Sequence, residues 1–158
     1  MGDNGNRPPS KLARRGTRGG ASGHSTAASQ AQALVPATAV VVAGMHRSGT
    51  SAIARLLALL GCDLPKTLMP AGPGNETGHW ESQVVADVDD AVLASQGSSW
   101  DDWRPIDPAW AVSAAGSDFL KRGRQALADE FGDSRQFVLK DPRMCRLMPF
   151  WLRALAMF

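Results

Sequence analysis

No stretch of this 158-residue chain offers the uninterrupted apolar run of about 18 residues that a membrane-crossing helix needs, so the sequence predicts no membrane span. The amino terminus has no apolar core of the kind a secretory signal carries. Cysteine is scarce: Cys62 and Cys145 stand alone, in neither zinc-binding nor redox spacing. They read as two buried thiols in a reducing compartment, and the expected location is cytoplasmic. No internal repeat is present. The length bounds the chain to at most one modest domain.

Large aliphatic residues are almost missing from residues 1–33, where Leu12 stands alone among Gly, Ser, Ala, Pro, Asn and Arg. Such a segment cannot bury enough apolar surface to offset the entropy of ordering, so it is expected to be a disordered tail. It carries five Lys/Arg (Arg7, Lys11, Arg14, Arg15, Arg18) against Asp3. Residues 34–158 carry twelve basic side chains against fourteen acidic ones, so the basic balance belongs to the tail. A basic tail could touch nucleic acid or anionic lipid. The plainer reading, a solubilising extension, is preferred, and no nucleic-acid partner is expected.

The remainder is patterned. Residues 34–43, LVPATAVVVA, form an apolar, β-branched run that fits a strand of a parallel sheet, with Pro36 confined to its start. A glycine loop follows, then TSAIARLLALL, in which Ile53, Leu56, Leu57 and Leu60 recur at helical spacing and Gly61 supplies a stop. Residues 62–78 hold three prolines and three glycines and read as a loop. Residues 79–97 read as a helix with Glu81, Val84, Val85, Val88 and Val92 on one stripe and Asp87, Asp89 and Asp90 off it. Residues 98–110 are irregular, with Trp100, Trp103 and Trp110. A helix over 117–132, with Leu120, Leu127 and Phe131 on its apolar side, precedes a short strand at QFVLKD (136–141). A final helix follows, bent at Pro149. The order β–α–α–α–β–α predicts an α/β layer fold with a parallel sheet flanked by helices. Two visible strands are few for such a sheet, so the chain is expected to be part of a larger domain.

The segment that speaks of chemistry is VVVAGMHRSGTSA, residues 40–52. Gly44 and Gly49 stand five apart, as in the nucleotide-binding pattern G-x-x-x-x-G-K-[ST], but Thr50 occupies the lysine position. Glycines at a strand-to-helix turn can serve geometry alone. Here the loop also holds His46, Arg47, Ser48, Thr50 and Ser51, all donors, at the positive end of the following helix. An anion site is therefore expected over Gly44–Ser51. The absent lysine argues against ATP or GTP hydrolysis, where it reaches the β/γ-phosphates. No convincing metal-holding aspartate follows an apolar run, since Lys140 stands beside Asp141, and no metal is expected.

GMHRSGTSA resembles the 5′-phosphosulfate-binding loop of the sulfotransferase superfamily, whose loops read R-S-G-T-[ST] or K-S-G-T-T. NETGHWES (Asn75–Ser82) resembles the N-x-x-G-[YF]-x-E segment of bacterial members. LKDPRMCRLMPFW (Leu139–Trp151) resembles their K-D-P-R-x-x-x-x-x-P-F-W segment. The three stand in matching order. The resemblance implies a P-loop-type three-layer fold and 3′-phosphoadenosine 5′-phosphosulfate (PAPS) as donor, with a small-molecule or carbohydrate acceptor offering a hydroxyl or amine. It further implies that Arg47, Ser48, Gly49, Thr50 and Ser51 grip the 5′-phosphate, and that Arg47 neutralises charge on the bridging oxygen. A guanidinium suits that task because its planar fork bonds two oxygens.

Three further positions are candidates. Glu81 heads an apolar stripe with no obvious cation nearby, which suits a base taking the acceptor's proton. It could equally be a first-turn acid or a buttress for the Gly72–Gly78 loop, and His79 is its rival as base. Lys140 stands at a strand's carboxyl end, where ligands of open α/β sheets bind, and the resemblance, in whose members this strand end faces the transferring group, implies that it could stabilise the sulfuryl oxygens. Alternatively Lys140–Asp141 or Arg143–Asp141 is a structural pair. Met144, Leu147, Met148, Phe150 and Trp151 read as core, and the tryptophans of 98–110 as loop packing more than as an acceptor pocket. The family's 3′-phosphate segment, R-x-P-x-x-x-x-x-S, has no counterpart here, so the chain by itself is expected to be poorly active and marginally stable.

Overall fold

The computed structural model describes residues 36–158; the tail expected over 1–33 lies outside the described residues. Two strands, β1 (Thr38–Val42) and β2 (Gln136–Lys140), pair in parallel with Val40 opposite Val138 and Val42 opposite Lys140. Between them in sequence run α1 (Thr50–Leu59), α2 (Gln83–Ser95) and α3 (Ala114–Phe131); α4 (Met144–Ala156) follows β2. The expected β–α–α–α–β–α order is observed, with a 3-10 turn over Pro108–Val112. The first strand is shorter than expected, beginning at Thr38. β2 is the inner strand: on its other side Asp63 bridges Phe137, exchanging hydrogen bonds of 2.8 and 2.9 Å with Gln136 and Val138.

Strand alternation sorts side chains to opposite faces. Ala39, Val41, Phe137 and Leu139 face a core built by α2, α3 and α4, in which Val85, Val92, Leu127, Phe131, Met144 and Trp151 are buried. Val40, Val42 and Val138 face α1, where they meet Ala54, Leu57, Cys62 and Trp80. The result is helix, sheet, helix in three layers. The two faces are unequally covered. Ile53, Leu56 and Leu60, three of the four apolar residues at helical spacing in α1, are exposed, and Ala54 is the residue that buries fully. The narrow sheet among the described residues does not reach across that stripe.

Helix ends follow local chemistry. α1 closes as the glycine stop predicts: Gly61, at φ 100°, donates to the Ala58 carbonyl and Cys62 donates to Leu57. α3 begins three residues before the expected start because Ser113 caps it, accepting from the Gly116 N–H at 3.1 Å. α2 begins four residues later than expected, at Gln83, where the Ser82 hydroxyl accepts from the Val85 N–H. Residues 79–82 are drawn out of the helix by backbone pairing with 67–69: Met69 donates to the Glu81 carbonyl and Gln83 to that of Thr67. Glu130 anchors the same segment from α3, its carboxylate accepting from the Thr67 hydroxyl and N–H. One expectation about cysteine is corrected: Cys62 is buried, but Cys145 lies on the exposed side of α4.

Candidate functional site

Beyond the carboxyl ends of both strands lies an open cleft of about 880 Å³. One wall is the glycine loop and the first turns of α1, the other the segment from Pro73 to Glu81, and Lys140 is at the back. The loop's shape is set by two glycines. Gly44 has no room for a side chain, since a Cβ would stand 2.5 Å from Thr50 Cγ2 and 2.8 Å from Ser48 Oγ. Gly49, the N-cap of α1, sits at φ 87°, a conformation glycine adopts at little cost. Arg47 is held at φ 63° without that freedom.

The loop's donors divide. Ser48 turns back on the loop, its hydroxyl donating to the Met45 carbonyl at 2.6 Å, and neither it nor Gly44 lines the cleft. His46, Arg47, Gly49, Thr50 and Ser51 line the cleft. The N–H groups of Arg47, Gly49, Thr50 and Ser51 have no acceptor among the described residues. Those of Thr50 and Ser51 open the helix, where backbone N–H groups are left over and the dipole favours negative charge. Arg47 reaches across the cleft rim to the Gly74 carbonyl at 2.7 Å. His46 sits at the outer edge, its ring in an edge contact with that of Trp100 at 5.0 Å.

Glu81 is corrected in two respects. It does not head a helix, because it precedes the Ser82 cap, and it is not without a cation. Its Oε1 accepts from Lys140 Nζ, and both residues are nearly buried, 5% and 4% exposed. Lys140 also donates to the Ser51 hydroxyl at 3.3 Å and to the His79 carbonyl at 3.1 Å. Ser51 in turn donates to the His79 carbonyl at 3.2 Å. The alternation of β2 explains the placement: Lys140 is two residues from Val138 and shares its α1-facing side. Three segments distant in sequence are thus tied at one ammonium group. His79 contributes its carbonyl to that knot and borders the cleft.

The neighbouring residue faces the other way. Asp141 is fully buried, accepts from the Arg143 backbone N–H at 2.8 Å, and pairs with the Arg143 guanidinium at 2.9 Å. Arg143 also reaches Asp90 on α2 at 2.6 Å. The Arg143–Asp141 pair, one of the two structural alternatives for this segment, is therefore formed. Behind it the expectation for Asp89 is corrected: read as off the apolar stripe, it is fully buried between Val85 and Val92 on the same helix face and accepts from Trp151 Nε1 at 2.6 Å. Its Oδ2 has no partner among the described residues. Burial, and then the nearby Asp141, push the Asp89 carboxyl well above its ordinary range. Burial raises Asp141 as well, with Arg143 opposing it.

Two residues that the pattern did not single out belong to the cleft. Arg55 lies one turn along α1 from Ser51, and its Cζ stands 4.8 Å from the centre of the Trp80 ring. Trp80 adopts φ 58°, a left-handed conformation that costs a bulky residue roughly 1–3 kcal/mol and persists only when its surroundings impose it. Helical spacing from Ser51 could have found Arg55; nothing local marks the strain at Trp80. Of the other tryptophans, Trp110 packs on Phe119 and Phe150, and Trp103 is exposed.

Compared with protein-family models, with curated proteins and with solved structures, the chain matches none. Among the described residues no helix is long and apolar enough to cross a membrane.

Proposed function

We propose that the cleft binds the 5′-phosphosulfate end of PAPS and transfers its sulfuryl group to a hydroxyl or amine acceptor, on a P-loop-type sulfotransferase fold. The observation that carries this reading is the position of the Lys140 ammonium. It sits against the Ser51 hydroxyl, the group that in the nucleotide pattern would hold a magnesium ion. The loop lacks its own lysine, and β2 brings a cation from 89 residues away to the Ser51 hydroxyl. A fixed ammonium is compatible with a sulfuryl group, which carries less charge than a phosphoryl group, and it competes with a metal for that hydroxyl.

The unpaired N–H groups of Gly49, Thr50 and Ser51 bind the 5′-phosphate oxygens, and Arg47 leaves the Gly74 carbonyl to complete the clamp. The acceptor oxygen attacks sulfur in line as the bond from sulfur to the bridging oxygen breaks, and that oxygen keeps the electron pair on the departing phosphate. Lys140 shifts toward the sulfuryl and bridging oxygens as charge develops there. The same shift uncovers Glu81, which takes the acceptor's proton. Pairing with Lys140 holds Glu81 in place until a competing anion arrives.

The test is a PAPS-dependent transfer assay across hydroxyl and amine acceptors, run beside calorimetry with 3′-phosphoadenosine 5′-phosphate and with Mg-ATP. The bisphosphate is expected to bind more tightly than Mg-ATP. Lys140→Met should lower transfer about 10²–10³-fold, the usual cost of one preorganised donor. Glu81→Gln should lower it about 10²–10⁴-fold with bisphosphate affinity retained. Tighter binding of Mg-ATP would replace this reading with a kinase or NTPase. Bisphosphate binding without turnover on any acceptor would reduce the chain to a nucleotide-binding remnant.

A further inference from the structure

We propose that Arg55, mounted on Trp80, is a second anion site in the cleft, and that it selects an acceptor already carrying a carboxylate, sulfate or phosphate beside its reacting hydroxyl. Four observations converge. Arg55 lines the cleft and, among the described residues, has no acidic partner, whereas Arg47, Arg104, Arg143 and Arg146 are engaged by oxygens. Its guanidinium stands over the Trp80 ring at 4.8 Å. Stacking of this kind uses the face of the guanidinium and leaves its in-plane N–H fork for an anion. Trp80 is not free to move away, because its neighbours on both sides are fixed. The His79 carbonyl accepts from Ser51 and Lys140, and the Glu81 carbonyl from Met69. Lastly, the φ of 58° turns the ring toward α1, under Arg55, and against the Val42–Ala54–Val138 cluster.

The location decides what the anion belongs to. Arg55 follows Ser51 by one helical turn, about 6 Å along the axis, so it stands off the loop that takes the donor's phosphate. Trp80 adjoins Glu81 in sequence, so a group held on the Arg55–Trp80 pair lies beside the proton acceptor. That is the acceptor's side of the cleft. The assignment to an acceptor, though not the anion site itself, rests on the reading of Glu81 given above. A cleft of about 880 Å³ has room for an acidic sugar beside the donor's phosphosulfate.

Side-chain NMR of the arginine Nε–Hε and tryptophan indole signals tests the site without requiring turnover. Glucuronate, glucose 6-sulfate, glucose 6-phosphate and neutral glucose are titrated with and without saturating 3′-phosphoadenosine 5′-phosphate. At least one charged sugar is expected to shift the Arg55 and Trp80 signals saturably with the bisphosphate present, and glucose is not. Arg55→Met should weaken that sugar about tenfold or more, Arg55→Lys should recover part of the loss, and neither should change affinity for the bisphosphate. If no charged sugar moves Arg55 more than glucose does, or if Arg55→Met weakens charged and neutral sugars alike, the site is overturned. A bisphosphate that leaves the Arg47 signal unmoved would instead sink the donor reading, whatever Arg55 does.

Discussion

Lys140 and Asp141 are consecutive residues at the end of one strand, and they found two charged centres of opposite character. Lys140 points to the α1 side, where its partners Glu81 and Ser51 border an open cleft. Asp141 points to the other side, where Arg143, Asp89 and Trp151 close around it against the main core. Both hold buried charge. In the first, a ligand can compete for the cation; in the second, the carboxylates are sealed and the charges hold helices in place. The contrast teaches that two ion pairs of similar burial can differ in whether a cleft opens onto them. What matters is whether a ligand can reach the pair.

The largest expected effect on stability is at the sealed centre. Arg143→Met strands Asp141 without its guanidinium and should cost about 3–5 kcal/mol, read from urea unfolding. Lys140→Met should cost less, about 1–3 kcal/mol, because Glu81, buried while paired, borders the open cleft and can turn to its water once Lys140 is gone, and adding Glu81→Gln should return most of it. Equal losses at the two sites would erase the distinction between them.

A finer probe is Asp89→Asn, which keeps an acceptor for Trp151 Nε1 and removes the carboxyl. The raised carboxyl of Asp89 means that the folded protein keeps a proton which the unfolded chain releases near its ordinary carboxylate value. Stability contributed by that proton is present in acid and is lost as pH climbs from about 4 toward the raised value. Asp141 adds a shift of the same sign. The variant should therefore be within about 1 kcal/mol of the parent at neutral pH, and its stability should fall less steeply between pH 4 and 8. An unchanged slope would show that Asp89 is ionised when folded.

The smallest effect compares the two thiols. Cys145, exposed on α4, should react with a thiol reagent in the native protein at close to the rate of a free thiol. Cys62, beneath α1, should react only on unfolding. Prompt reaction of both would mean that the α1 layer opens far more readily than the α2–α4 core.

Most of the element order was legible because it is local. The β-branched run, the glycine loop, the 3.6-residue spacing and Gly61 each act within a few residues, and β1, α1, β2 and α4 follow. The start of α2 departs from the local pattern because pairing with residues 67–69 overrides helix propensity before Ser82. Asp89 follows Val85 by four residues and precedes Val92 by three, so helical spacing does put it on the buried face; its acidic side chain masks this, and what no local spacing shows is the partner, Trp151, 62 residues away. By itself the sequence determined that a donor-rich loop caps α1 beneath a parallel strand, and that Arg47, Thr50 and Ser51 stand on it. Only the tertiary structure decided that Lys140 reaches the Ser51 hydroxyl, that Glu81 is its counter-ion, and that Arg55 rests on Trp80. Those relations join residues that strand alternation and chain reversal bring together, and no local spacing encodes them.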